Sequence, residues 1–156
     1  EVKKYEWLKF GSSYLMNELS AAFLFSQLEK SYEITESRKE VWKLYELELQ
    51  NLSLKERINI PTINEKYQPN GHFYWIIVNC VERNKIIFKA KEEGIELLTH
   101  FQPLHSSPAG TKYCKTFSNM KITNLAGKNL IRLPIHSYMN LNYISRIIDF
   151  LNKNLV

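Results

Sequence analysis

Between Gly11 and Leu52 the chain reads GSSYLMNELSAAFLFSQLEKSYEITESRKEVWKLYELELQNL, with no proline and no glycine after its first residue. A run free of the strongest helix breakers predicts one long helix, or two that abut, entered through a Gly-Ser-Ser turn. Its two halves differ. From Leu19 to Phe25 apolar side chains fall on nearly every side, and a helix with no wet face expects protein all round it. Leu19, Ala22, Phe23 and Ser26, then Ile34, Val41, Leu44, Tyr45 and Leu52, recur at helical spacing. Between them Glu33, Glu36, Arg38, Lys39, Glu40, Lys43 and Glu46 give the second half a solvated face.

Beyond Leu52 the pattern shortens. RINIPT, residues 57–62, predicts a short strand or extended edge closed by Pro61, and residues 64–71 a polar loop with Pro69 and Gly71. HFYWIIVNCV, residues 72–81, is aromatic and β-branched with few polar positions, which predicts a strand central in its sheet. Ile86, Ile87 and Ala90 predict a short amphipathic helix over 84–93, stopped by Gly94. IELLTHF, 95–101, predicts a second strand running into the loop QPLHSSPAG. Residues 119–128 read as a loop or short helix, 130–133 as a third strand ending at Pro134, and 140–155 as a final helix with Leu141, Ile144, Ile147, Ile148 and Leu151 inward. The expected architecture is a small α/β domain: a strand, helix and strand unit flanked by the long helix and the last one.

Composition narrows the class. With 156 residues, 44% of them hydrophobic, the chain can bury one core and is unlike a disordered segment. No window approaches a membrane span, and EVKKYEWLKF lacks the apolar centre of a signal peptide, so a cytoplasmic protein without a membrane partner is expected. Tyr5, Trp7 and Phe10 suggest an extended piece that lays aromatics onto something, and the absence of an initiator methionine suggests a piece of a longer chain. Cys80 and Cys114 are expected as free thiols. The net charge of +5 comes from lysines scattered among glutamates, which does not support a nucleic-acid groove but would suit an anionic small molecule.

Chemistry is sparse. Of the four histidines, His100 and His105 flank a proline-containing loop at a strand end, where binding residues concentrate. A metal pair would need two or three more ligands, and no carboxylate or thiol stands at a suitable spacing, so no metal site is expected. His72 precedes the central strand and His136 follows Pro134, positions that suit structural roles. No G-x-S-x-G, Walker loop or G-x-G-x-x-G is present. Ser12, Ser13 and the N–H groups after them would suit a phosphate at a helix entrance, and equally well plain capping.

Two of these features together resemble a family. GSSYLMNELSAAFLFSQLE is similar to the Gly-x-Asn/Ser-x-x-Met, Glu/Asp-Leu-x-Ala-Ala, Gln-Leu-Glu pattern of the DegT/DnrJ/EryC1/StrS sugar-nucleotide aminotransferases, which use pyridoxal phosphate. KKYEW, FQPLHSSPAG and LIRLPIHSYMNL extend the resemblance along the whole chain. It implies the C-terminal part of a fold type I transferase: a long helix plus a small, mostly antiparallel sheet flanked by helices. Residues 1–52 would end the large domain and form the connecting helix, and 53–156 would be the small domain. It further implies a homodimer, with glutamate and a sugar nucleotide as reactants, and amino transfer to the C4 ketone of a dTDP-4-keto-6-deoxyhexose for surface polysaccharide synthesis.

The family's Ser-x-x-x-x-Lys followed by Gly-Glu-Gly is not in this sequence, so no catalytic residue is expected here and the chain alone should be inactive. Ser13 stands where many relatives have an asparagine reaching the cofactor phosphate of the neighbouring subunit, making Ser12, Ser13 and Tyr14 the candidates for that contribution. Leu15 stands where many have arginine, without its charge. His100, Phe101 and His105 match the loop bordering the sugar-nucleotide pocket, and His72 matches a position before the first small-domain strand. Leu19 to Phe25 would then be covered by the rest of the large domain and the dimer partner, and in isolation should form an exposed, self-associating patch. The alternatives are a 3-keto sugar transaminase, a dehydratase with histidine in place of the lysine, or a free-standing binding or dimerisation module.

Overall fold

The computed structural model describes residues 11–12, 14–64 and 66–155, so Ser13 and the aromatics Tyr5, Trp7 and Phe10 lie outside the described residues. The chain divides into two compact units, Glu1–Tyr32 and Glu33–Val156.

In the first unit helix α1 spans Glu18–Glu29. It does not start at the Gly-Ser-Ser turn. Asn17 is extended, and its side-chain Oδ1 accepts the Ser20 N–H at 2.9 Å, while Glu18 places a carboxylate in the positive first turn. That cap, set directly before the first helical residue, defines the start, so Ser12 is not at a helix entrance. The helix closes at Lys30, whose N–H returns to the Gln27 carbonyl at 3.2 Å. No residue of α1 is buried, and Leu19 is 86% and Phe23 70% exposed. The two abutting helices of the sequence reading are therefore α1 and α2, Ser31–Leu54.

The second unit is built on α2 and one sheet. Val41, Trp42, Tyr45, Leu49 and Leu52 form the buried stripe of α2. The strands are β1, Ile58–Asn59; β2, Tyr74–Val78; β3, Leu98–Thr99; and β4, Leu130–Leu133, in the order β1-β2-β4-β3 with every neighbouring pair antiparallel. Helices α3, Arg83–Glu92; α4, Pro108–Tyr113; α5, Lys121–Asn129; and α6, Leu141–Asn154, complete it. β2 is interior, as its apolar composition predicts. β2 and β3 run parallel to each other but do not pair, because β4 lies between them.

The ladder of β3 is shorter than IELLTHF suggests. Gly94 takes a left-handed φ of 70°, and the Ile95 N–H is still bound to the Ala90 carbonyl of α3 at 2.8 Å, so pairing begins only at Leu98. Ile95 and Leu97 nonetheless enter the core. Tyr74, Ile76 and Val78 of β2 and Ile131 and Leu133 of β4 share the inner face with Ile86 and Ala90 of α3 and Ile144, Ile147, Ile148 and Leu151 of α6. Phe150 joins them, whereas Leu141, expected inward, is exposed. It follows the cap Asn140 directly, and on the first turn of α6 it overhangs the core. Trp42 stands edge-on to Tyr74 with ring centroids 5.1 Å apart, and Tyr45 lies 5.4 Å from the same ring. The loop before β2 passes close to α2: at Gly71, with φ 65°, an added Cβ would sit 2.8 Å from the Arg38 backbone. Among the described residues no helix is long and apolar enough to cross a membrane.

Candidate functional site

Three of the expected binding residues meet at one corner of the sheet. His72 and Phe73 lead into β2 and His100 and Phe101 lead out of β3, on either side of β4. The rings form a run: His72 is edge-on to Phe73 at 5.6 Å, Phe73 stacks on His100 at 5.7 Å with planes 19° apart, and His100 is edge-on to Phe101 at 5.3 Å. Phe73 is half-buried, while both histidines and Phe101 are exposed. Such an edge presents ring faces and imidazole nitrogens, able to stack on a flat or apolar ligand face and to hydrogen-bond hydroxyl or phosphate oxygens.

His105 is engaged elsewhere. It lies on the 3₁₀ turn Leu104–Ser106, and its Nε2 is 2.8 Å from Asn124 Oδ1 on α5. Asn124 Nδ2 donates to the Asn119 carbonyl at 3.2 Å, which orients the amide so that its oxygen faces the imidazole. That oxygen can only accept, so Nε2 carries the proton and Nδ1 is left as the acceptor. Just beyond, Ser107 caps α4, its Oγ accepting the Gly110 N–H at 2.9 Å. Gly110 has no room for a side chain, since a Cβ there would lie 1.7 Å from the Leu104 carbonyl oxygen. Glycine in the PLHSSPAG stretch is thus required by the packing of the turn itself.

A cavity of about 250 Å³ opens beside the ring run, lined by His72, Phe73, Glu96, Leu98, Arg132 and His136 among others. The sequence reading did not single out Arg132 or Glu96, and it assigned His136 a structural place. His136 does have such a partner, its Nδ1 lying 2.9 Å from the Ser137 carbonyl oxygen. The signal for Arg132 was the alternation in LIRL: Ile131 and Leu133 are buried, which turns Arg132 to the other face. A larger cleft of about 400 Å³ beside Cys80, Arg83 and Lys128 contains none of the predicted site residues. No cluster of three or more His, Cys, Asp or Glu suited to a metal occurs among the described residues.

Ser12 and Tyr14 belong to the first unit, in a non-helical stretch, and both are exposed. Within one copy they do not fit pyridoxal phosphate as a pocket. The first free helical N–H groups come only after Asn17, whose side chain already takes one of them.

The pattern that describes the DegT/DnrJ/EryC1/StrS aminotransferase family matches residues 1–152. An uncharacterized protein of Methanocaldococcus jannaschii is 29% identical over 157 residues, covering 96% of this chain and 39% of that protein. The dTDP-3-amino-3,6-dideoxy-alpha-D-galactopyranose transaminase of Aneurinibacillus thermoaerophilus is 24% identical, covering 97% and 40%. Among solved structures, DesV of S. venezuelae superposes with a TM-score of 0.87 at 21% identity, over 99% of this chain and 41% of DesV. PseC of Helicobacter pylori, an aminotransferase involved in the biosynthesis of pseudoaminic acid, gives 0.81 at 20% identity over 98% and 42%. The fold is therefore shared with sugar aminotransferases, and the chain spans about two fifths of the length of these proteins.

Proposed function

Because the chain belongs to the DegT/DnrJ/EryC1/StrS aminotransferase family, we propose that it forms part of a pyridoxal-phosphate-dependent sugar-nucleotide aminotransferase most like dTDP-4-amino-4,6-dideoxygalactose transaminase. In this reading the assembled protein moves an amino group from glutamate to the C4 ketone of dTDP-4-keto-6-deoxyglucose. The product feeds surface polysaccharides such as lipopolysaccharide O-antigen or enterobacterial common antigen. The observation that carries it is the run of rings from His72 through Phe73 and His100 to Phe101, an exposed edge suited to a ligand with flat and hydroxylated parts.

When bound, the cofactor supplies the electron sink for amino transfer. The residues of this chain bind and orient. His72, His100, Phe101 and His105 border the sugar nucleotide, with His105 held in one tautomer by Asn124. Ser12, Ser13 and Tyr14 offer polar groups to the cofactor phosphate of a second copy, a role for which the exposed, non-helical placement of Ser12 and Tyr14 leaves them free. The remaining large domain holds the reactive lysine, and the chain by itself is inactive.

The test is made on the full-length protein with pyridoxal phosphate. A cofactor absorbance that borohydride bleaches, together with glutamate-dependent formation of a 4-amino sugar nucleotide, is the expected result. If no bleachable absorbance forms, the reading fails. A 3-keto acceptor is the second reading, favoured by the similarity to the Aneurinibacillus 3-amino sugar transaminase. The position of nitrogen in the product, C3 or C4, separates the two.

A further inference from the structure

Arg132 is an unusual residue for its place. It sits in β4, an interior strand, directly across from Trp75 of β2 on one side and Leu98 of β3 on the other. Between these apolar neighbours the side chain is half-buried, while its bond to the strand edge is exposed. A carboxylate beside it would occupy the guanidinium. Here it has none: Glu96 lines the same cavity, yet no ion pair to Arg132 forms among the described residues. The guanidinium is oriented by one bond, Nε donating to the Thr99 carbonyl at 3.2 Å, and its two terminal nitrogens have no protein partner among the described residues.

We infer that the cavity beneath the ring run is an oxyanion site in which Arg132 is the principal donor, and that its ligand is a phosphate group. Fixing Nε leaves the terminal nitrogens as a pre-oriented fork, the geometry that matches two oxygens of a tetrahedral oxyanion. His72 and His136 stand on the walls. His136 keeps its Nδ1 proton on the Ser137 carbonyl, so its Nε2 donates to an anion only in the protonated ring. Glu96 opposes the site and lowers its affinity. The volume, about 250 Å³, is below that of pockets that enclose a whole drug-sized ligand, so one charged group enters and anything attached to it lies outside, against Phe73 and His100. Inorganic phosphate and a phosphate carried by a larger ligand share this chemistry, and the site requires neither a cofactor nor a second domain, so its test is separate from that of the aminotransferase reading.

The probes are inorganic phosphate and inorganic pyrophosphate, titrated into the ¹⁵N-labelled chain at constant ionic strength, with chloride as the control anion. Saturable shifts are expected at the Arg132 side chain and at the amides of Thr99, Arg132, Leu133, Ile135 and His136. Arg132→Gln should weaken binding at least tenfold, Arg132→Lys should fail to restore it fully, and Glu96→Gln should tighten it. Each variant is checked for a wild-type amide spectrum away from the cavity. Shifts that do not saturate, that chloride reproduces, or that persist unchanged in a folded Arg132→Gln protein overturn the assignment. So does a Glu96→Gln protein whose phosphate affinity is unchanged or weaker. A phosphomonoester of a nucleoside then distinguishes a larger ligand, which adds shifts at Phe73 and His100, from free phosphate, which does not.

Discussion

At the scale of single residues, the two core tyrosines illustrate how a partner decides the worth of a hydroxyl. Tyr45 donates to the Pro134 carbonyl at 2.8 Å, whereas the buried Tyr74 hydroxyl has no partner among the described residues. Removing a satisfied bond costs about 1 kcal/mol and also orphans the carbonyl, while removing an unsatisfied hydroxyl relieves a desolvation cost. Tyr45→Phe is therefore expected to destabilise the chain by about 1–2 kcal/mol in urea denaturation, and Tyr74→Phe to leave it unchanged or more stable. Burial raises both phenols above the ordinary tyrosine value of 10.0, helped by Tyr143 beside Tyr45 and Glu46 near Tyr74. The unfolded chain then loses these protons first. Stability is constant with respect to them below pH 10 and falls above it, by about 1.4 kcal/mol per pH unit for each group. Urea midpoints measured from pH 9 to 11 check this, and Tyr74→Phe should roughly halve the alkaline slope. Of the candidate site, the histidines were visible as residue types, but Arg132 was not, because only strand pairing sets it between Trp75 and Leu98.

At the scale of elements, helical spacing located α2, α3 and α6 closely, since each buries one face against the same sheet. It placed Val41, Tyr45 and Leu52 inward and passed over Trp42 and Leu49, which complete the stripe. Leu49 is fully buried, so Leu49→Ala should cost about 2–5 kcal/mol, read from the urea midpoint, while Leu47→Ala, exposed one turn face away, should cost under about 0.5 kcal/mol. The start of α1 was misjudged by several residues because serine and asparagine are both good caps, and their order of preference does not say which one the chain will use. Residues 95–101 were expected as a full strand, but the amide of Ile95 finishing α3 removes the first part from the ladder.

At the scale of the whole molecule, the unresolved tension of the chain is α1, whose apolar side chains are exposed although its composition calls for cover. Burying a phenylalanine is worth about 1.5–3 kcal/mol, equivalent to roughly ten- to hundredfold in an association constant. The isolated chain is therefore expected to self-associate, and Phe23→Glu to raise the dissociation constant about tenfold or more in sedimentation equilibrium. A monomer with and without the substitution would refute this. In the proposed full-length enzyme the same face is covered by the large domain and a second copy, which is where the aminotransferase reading and the exposed helix meet.

The sequence by itself determined the local choices: where helices run, which strand is most apolar, which glycines stop or bend the backbone, and the family through its ELSAAFLFSQLE helix and PLHSSPAG loop. These depend on neighbours a few residues apart, and periodicity records them. Tertiary structure alone decided that β4 enters between β2 and β3, that His72, Phe73, His100 and Phe101 form one run of rings, and that Arg132 lines a cavity with Glu96 yet forms no ion pair there among the described residues. Each of those facts joins residues more than twenty positions apart, and their meeting is set by the packing of the sheet rather than by any spacing along the chain.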